Sequence, residues 1–349
     1  MSICLSNLSA DVALEHVAQS KREMGPASPD PSSFVADSAA VESALGDFAD
    51  KLPRPIDVVV NDAGRRRHAA DIACHVWNGS LPRNSVFALS EGLYVSSPEF
   101  TLAQQSSQLH QAALCQLLGR YLGTWSPKEG APKGQCARAP LTSFEDIKAF
   151  LAEAGRFRGK DNLKLAMAYT CEGAASEPET SFQLALCLPP ELCGLNLEQP
   201  IMNYKVDLST KSKVLYPADS IRIDLCWRDK RFGMEYQGEG HGTQLGADYA
   251  RWFAAREEGY ELWFVAKEQL ASAEQMLHIA SEVAVRLGSD VDTAAWPKVD
   301  ELQGLLDILG GREHPKPLTN AELRDRRASA RKKRRGIEGN ASSHLLIKP

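Results

Sequence analysis

The stretch Arg222-Ile-Asp-Leu-Cys-Trp-Arg-Asp-Lys-Arg-Phe-Gly-Met-Glu-Tyr-Gln237 decides the fold of the C-terminal half of this 349-residue chain. Strand side chains alternate between two faces with a period of two. In the first part Ile221, Ile223 and Leu225 therefore share one face, with Arg222, Asp224 and Cys226 opposite. In the second, Phe232, Met234 and Tyr236 share a face, with Gly233, Glu235 and Gln237 opposite. A turn symmetric about Asp229-Lys230 makes partner numbers sum to 459, setting Asp224 directly across from Glu235. Directly opposed strand residues have Cβ atoms about 4.5–5.5 Å apart, and like charges there are destabilising. A divalent cation with oxygen ligands neutralises such a pair, so the pairing predicts a metal site at Asp224 and Glu235. Asp-Lys is not a preferred two-residue hairpin loop, but a symmetric four-residue loop keeps the same register. The alternative is a solvated sheet face, on which Arg222, Arg228 and Lys230 partner the two acids.

Outward from this hairpin the sequence predicts a helix over Glu177–Leu188, a strand near Pro200–Leu208, strands Ser220–Trp227 and Arg231–Gly238, and a helix over Ala247–Glu258. A strand Glu261–Ala266 and a helix Glu268–Leu287 follow, and Gly259 is placed to cap the helix before it. Upstream, Ser143-Phe-Glu-Asp146 opens a helix to Ala154, with a second at Asp161–Tyr169. Pro55–Val60 is a strand, Ser85–Ser96 a hairpin around Ser90-Glu91-Gly92, and Pro98–Gly123 a helix. Thr124–Pro140 has linker composition. The expected organisation is a poorly defined region 1–50, an α/β domain 51–125, a linker 126–140, a helical connector 141–175, an α/β domain 176–310 and a basic tail 311–349.

Ser176-Glu-Pro-Glu179, Asp224, Glu235-Tyr-Gln-Gly238, His241, Asp248-Tyr-Ala-Arg251 and Gly259-Tyr260 follow one another in this order. The series resembles the PD-(D/E)XK nuclease superfamily, and the fuller string looks like its very-short-patch-repair-like (Vsr-like) branch. That resemblance implies a restriction-endonuclease-like mixed sheet flanked by helices, preceded by a smaller α/β domain. It also implies an endonuclease using Mg²⁺, or Mn²⁺, on DNA. Asp224, Glu235 and the Tyr236 carbonyl would hold the metal, Glu179 would reach it from its helix, and His241 would face the substrate. The third motif position, usually Lys and in this branch often Asp, is Gln237, whose amide cannot carry a proton at neutral pH.

Each accessory residue has a plainer role open to it. Glu179 favours a helix N-terminus whatever its function. His241 sits in the glycine-rich Gly238-Glu-Gly-His-Gly242, where an exposed imidazole is common. Asp248 and Arg251 are three apart on one helix and are expected to pair on its surface, and Trp252 and Phe253 are expected in the core.

Further upstream, His75-Val-Trp77, Leu81-Pro82 and Gly92-Leu-Tyr-Val-Ser-Ser-Pro-Glu99 before an amphipathic helix are similar to AbiEi-type antitoxin and regulator proteins. That likeness implies a toxin or another regulatory protein as partner. His75 itself is read as a satisfied structural histidine. The eight cysteines form no Cys-x-x-Cys pair, which excludes a zinc ribbon and points to free buried thiols.

Net charge is −5, yet Arg312–Pro349 holds 11 Lys/Arg against 4 Asp/Glu, so a +7 tail follows a −12 body. Within it Arg331, Lys332, Lys333, Arg334 and Arg335 form a run suited to phosphate backbones. No apolar run is long enough to span a membrane, and Met1–Ser20 lacks a basic-then-apolar leader. The chain is therefore expected in the cytoplasm. The functional expectation is a metal-dependent DNA endonuclease of phage defence or DNA repair. The alternative is a noncatalytic DNA-binding regulator of AbiEi type.

Overall fold

In a computed structural model, residues 2–20, 24–67, 69–131, 134–238, 245–289, 293–316, 318, 322, 325, 326 and 328 are described. The chain is a mixed α/β protein with one six-stranded mixed sheet and further small sheets. It divides into two units, one of residues 1–109 with 120–168, the other of residues 110–119 with 169–349.

The first unit is built on β1 (Ile3–Leu5), β2 (Pro26–Ala27), β3 (Ile56–Val60), β4 (Ile72–Val76), β5 (Val86–Ser90) and β6 (Leu93–Ser96), in the order β2-β5-β6-β1-β3-β4. The central β1 is wholly buried, parallel to β6 and antiparallel to β3. Residues 1–50 are thus no poorly defined region: they supply the middle of the sheet and the helix Asn7–Gln19. At three residues, β1 is too short to show a period.

The segment 126–140 is likewise no linker. It carries most of the antiparallel pair β7 (Trp125–Pro127) and β8 (Gln135–Ala137), followed by the buried Arg138. Arg138 grips Glu15 with two bonds, from Nε at 2.9 Å and Nη2 at 3.0 Å. Beside them, Arg120 reaches Asp11 at 2.6 Å, and the Tyr121 hydroxyl donates to the same carboxylate at 2.9 Å. The helices Phe144–Glu153 and Lys160–Tyr169 lie within the first unit, apart from Tyr169, and form no connector between domains. The helix expected over Pro98–Gly123 is two helices, Pro98–Gln105 and Gln111–Leu122. Polar residues 106–108 interrupt it, and the Ser106 hydroxyl turns back onto the Ala103 carbonyl at 2.8 Å.

In the second unit β9 (Ile201–Asp207), β10 (Ser220–Trp227), β11 (Phe232–Gln237) and β12 (Glu261–Ala266) form a sheet in the order β12-β11-β10-β9. Only β11 and β12 run parallel. The pairs Leu225 with Met234, Cys226 with Gly233 and Trp227 with Phe232 all keep the 459 register. A 3₁₀ turn over Arg228–Lys230 and left-handed Arg231 (φ 50°) makes the four-residue loop that preserves it. Gly233 is forced: a Cβ there would lie 2.4 Å from Ile223 Cγ2. The helix Leu245–Glu257 packs Ala254 and Ala255 into a cluster with Val206, Ile221, Ile223, Cys226 and Leu262, and it ends before Gly259 at φ 82°.

Strict alternation in β10 does not hold, because Cys226 joins the cluster of Ile221 and Ile223. The ladder to β9 steps from Ile223 with Tyr204 to Leu225 with Met202, omitting Asp224. At the skipped rung of β9, Asn203 is left-handed (φ 48°). The helix expected over Glu268–Leu287 is also divided, into Lys267–Leu270 and Ala273–Leu287, the second capped by Ser272. Phe253, expected in the core, is 48% exposed, whereas Trp252 packs against the cluster. No helix among the described residues is long and apolar enough to cross a membrane.

Candidate functional site

The site grows from the sheet irregularity. The Asp224 carboxylate takes a backbone partner: Oδ2 accepts the Tyr236 amide at 2.9 Å. One residue before Tyr236 in β11 stands Glu235, 4% exposed. Asn203 donates from its side chain to the Gly173 carbonyl at 3.0 Å and to Glu179 Oε2 at 2.7 Å. The same Oε2 accepts the Ala175 amide at 2.8 Å, and Oε1 accepts the Ser176 hydroxyl at 2.8 Å. Ser176 in turn caps the helix Glu177–Cys187 by accepting the Glu179 amide. Ser176 and Glu179 thus brace the helix start, and the acid also ties down the distorted strand through Asn203.

Burial pushes the Glu235 carboxyl well above the ordinary range, and the Asp224 charge beside it pushes further. Arg251 works against this, and the Glu179 charge adds to the rise. Arg251 Nη2 lies 2.8 Å from Glu235 Oε1 and also donates to the Arg222 carbonyl. Arg251, expected to pair with Asp248 on the helix surface, thus reaches the buried Glu235, whose charge Asp224 and Glu179 disfavour and a guanidinium stabilises.

Three of the four catalytic candidates, Glu179, Asp224 and Glu235, thus interact in one place, and the half-buried Gln237 ends the same strand. His241 and Arg331–Arg335 lie outside the described residues. Sequence reasoning missed Asn203 and the function of Arg251. Asn203 carries no motif signal, and no local pattern places it beside Glu179, 24 positions away. No group of three or more His, Cys, Asp or Glu side chains converges closely enough to hold a metal ion among the described residues. The donor chemistry nonetheless suits a hard divalent cation, because Asp224 and Glu235 offer oxygens whose mutual repulsion a cation relieves.

Compared with protein-family models, curated proteins and solved structures, the chain matches none. The site's chemistry rests on its own residues. All eight cysteines are free, five buried and Cys136, Cys171 and Cys193 half-buried. Burial raises the thiols of Cys4, Cys115, Cys171 and Cys226 to about 12. Those four stay protonated at neutral pH and are poor nucleophiles and poor metal ligands.

Proposed function

We propose that the second unit is a PD-(D/E)XK-type phosphodiesterase domain of the very-short-patch-repair-like branch, acting on DNA. The observation that carries this reading is the buried Glu235, set against Asp224 and Glu179 at the rung where the β9–β10–β11 sheet distorts. An acid held that far from water and next to like charges is unfavourable for folding, and such groups cluster at functional sites. Asp224 and Glu235, with the Tyr236 carbonyl between the strands, would hold Mg²⁺ or Mn²⁺. A cation there lowers the pKa of bound water and neutralises charge on the scissile phosphate.

The chain's own residues have separate tasks. Glu179, fixed by Ala175, Ser176 and Asn203, keeps negative potential on Glu235, which would draw a cation there and in its absence holds the proton. Arg251 neutralises Glu235 while no cation is bound. Gln237 can orient a water or a phosphate oxygen through its amide but moves no proton.

The test is DNA cleavage with Mg²⁺ or Mn²⁺, compared between wild type and Asp224→Asn. The substitution keeps shape and an oxygen acceptor for the Tyr236 amide but removes a ligand charge. Cleavage should fall by at least about a hundredfold, while the metal-free variant melts at the same or a slightly higher temperature. Added Mg²⁺ should stabilise wild type more than the variant. Gln237→Lys should raise a weak wild-type activity if the missing cation limits it. Absence of both cleavage and any metal-dependent melting shift would sink the reading.

One observation favours a second reading, a noncatalytic DNA-binding regulator or antitoxin-like protein with a regulatory protein partner. The Arg251–Glu235 pair already neutralises the buried acid from within the chain. In that case the acids tie strands and helix together without turnover, and Asp224→Asn leaves DNA affinity unchanged.

A further inference from the structure

A second polar centre lies wholly in the first unit, where Asn7 begins the helix Asn7–Gln19 in the left-handed conformation (φ 46°). Its backbone is held at both ends: its amide donates to Gln104 Oε1 at 3.2 Å, and its carbonyl accepts from Gln105 Nε2 at 3.3 Å. Asn7 Nδ2 stands 3.3 Å from both ring nitrogens of His75, so it sits over the ring rather than at one edge. His75 Nε2 donates to Asp57 Oδ1 at 2.6 Å, which fixes the plane of the ring. A non-glycine residue clamped at positive φ over an oriented imidazole is the kind of strained placement that surrounds ligand sites.

Asn7 and His75 line a cavity of about 390 Å³ with Trp77, Gln104, Phe157, Arg156 and Arg158. Asn7 and Gln104 are 4% and 7% exposed, and Asn7 Oδ1, Gln104 Nε2 and Trp77 Nε1 are buried without a hydrogen-bond partner among the described residues. Buried polar groups left unpaired are few in native proteins, and each calls for a reason. Here one acceptor and two donors belong to three residues that line one cavity. Trp77 and Phe157 stand with ring centroids 5.3 Å apart, both half-buried, and offer an apolar edge beside those groups. Arg156 and Arg158 are exposed and form no ion pair among the described residues. His75 also borders a second cavity, of about 420 Å³, flanked by Arg66 and Arg67.

We propose that this cavity binds a nucleotide, with its base against Trp77 and Phe157 and its phosphate at Arg156 and Arg158. Aromatic faces that stack on bases beside cations that follow phosphates are the combination by which proteins hold single-stranded nucleic acid. Asn7 Oδ1 and Gln104 Nε2, the amide atoms without a partner among the described residues, would give a base edge one acceptor and one donor. Arg66 and Arg67 beyond His75 fit a phosphate of an adjoining nucleotide. The same chemistry suits a free nucleotide or one unit of a single strand. The proposal does not rest on the acid cluster of the second unit.

The test uses the full chain in EDTA, with a short fluorescein-labelled oligothymidylate and AMP as separate probes. Arg156→Glu/Arg158→Glu changes exposed side chains and should leave the melting temperature unchanged. Oligonucleotide affinity should drop about tenfold or more in this variant. Binding should quench tryptophan fluorescence in wild type and much less in Trp77→Phe, which keeps a ring in place. Quenching by AMP as well assigns the site to single nucleotides. Quenching by the oligonucleotide alone assigns it to strands. The proposal is overturned if neither probe quenches, or if affinity and quenching are the same in wild type and both variants.

Discussion

Glu235 is the residue on which the second unit's chemistry turns, and its protonation links that chemistry to stability. Its carboxyl is held above the ordinary value of 4.5 by burial and by Asp224 and Glu179, with Arg251 opposing. The folded state therefore binds this proton more tightly than the unfolded chain. The resulting stability is fully present below about pH 4.5 and is lost as pH rises through the folded value, at no more than about 1.4 kcal/mol per pH unit. Glu235→Gln removes the titration. Metal-free wild type and variant should melt together near pH 4.5, and the variant should melt higher at pH 8. Melting curves of both proteins across that range check this, and a variant that melts lower at pH 8 would show that the Arg251 pair outweighs the burial. The register that brings Asp224 close to Glu235 was legible in the sequence through Leu225 and Met234, since it needs only a period of two and a turn. The salt bridge to Arg251 was not, because helix spacing alone favours a partner on the same helix.

Among elements, the segment after β8 shows how a buried ion pair can hide in loop-like composition. Arg138 and Glu15 have side chains 2% and 6% exposed and share two hydrogen bonds, so neither can be hydrated if the other is removed. Arg138→Ala should destabilise the first unit by roughly 3–5 kcal/mol, because it leaves the buried Glu15 only the longer pair to Arg120 at 3.8 Å and strips a donor from the Gly123, Ala139 and Arg120 carbonyls. Replacing Arg138 and Glu15 together by Met and Leu should recover most of that loss. Chemical denaturation of the single and double variants distinguishes the two outcomes, and a loss under about 1 kcal/mol in the single variant would show the pair to be solvated. Glycine, proline and lysine content marks this stretch as a linker. The guanidinium that makes it structural is one residue, and composition averages it away.

For the whole molecule, charge is divided along the chain, with +7 on Arg312–Pro349 and −12 on the rest. Neutralising Arg331, Lys332, Lys333, Arg334 and Arg335 to Gln spares the Arg312–Asp307 pair at the end of the helix Val299–Leu309. The substitution should weaken DNA binding and lower the slope of log affinity against log salt by up to about four to five. Sequence-indifferent loss is expected, because phosphate contacts carry no base information. Filter binding at several salt concentrations measures the slope. An unchanged slope would make the run a solubilising terminus and leave DNA binding to the folded units.

The sequence by itself determined what depends on neighbours along the chain. This includes the register of the 222–237 hairpin, the Ser176–Glu179 cap, the Gly259 stop and the bounds of β10 and β12. In each, the deciding interaction spans a few residues, so local pattern carries it. Only the tertiary structure decided that Ile3–Leu5 is the centre of a sheet, that Arg251 reaches Glu235, and that Asn203 bends the strand opposite Asp224. It alone gathered Asn7, His75, Gln104 and Phe157 around one cavity. These contacts join residues tens to more than a hundred positions apart. What fixes them is burial within each unit, of apolar Ile3–Leu5 in the first and of charged and polar groups in both, which no local period records.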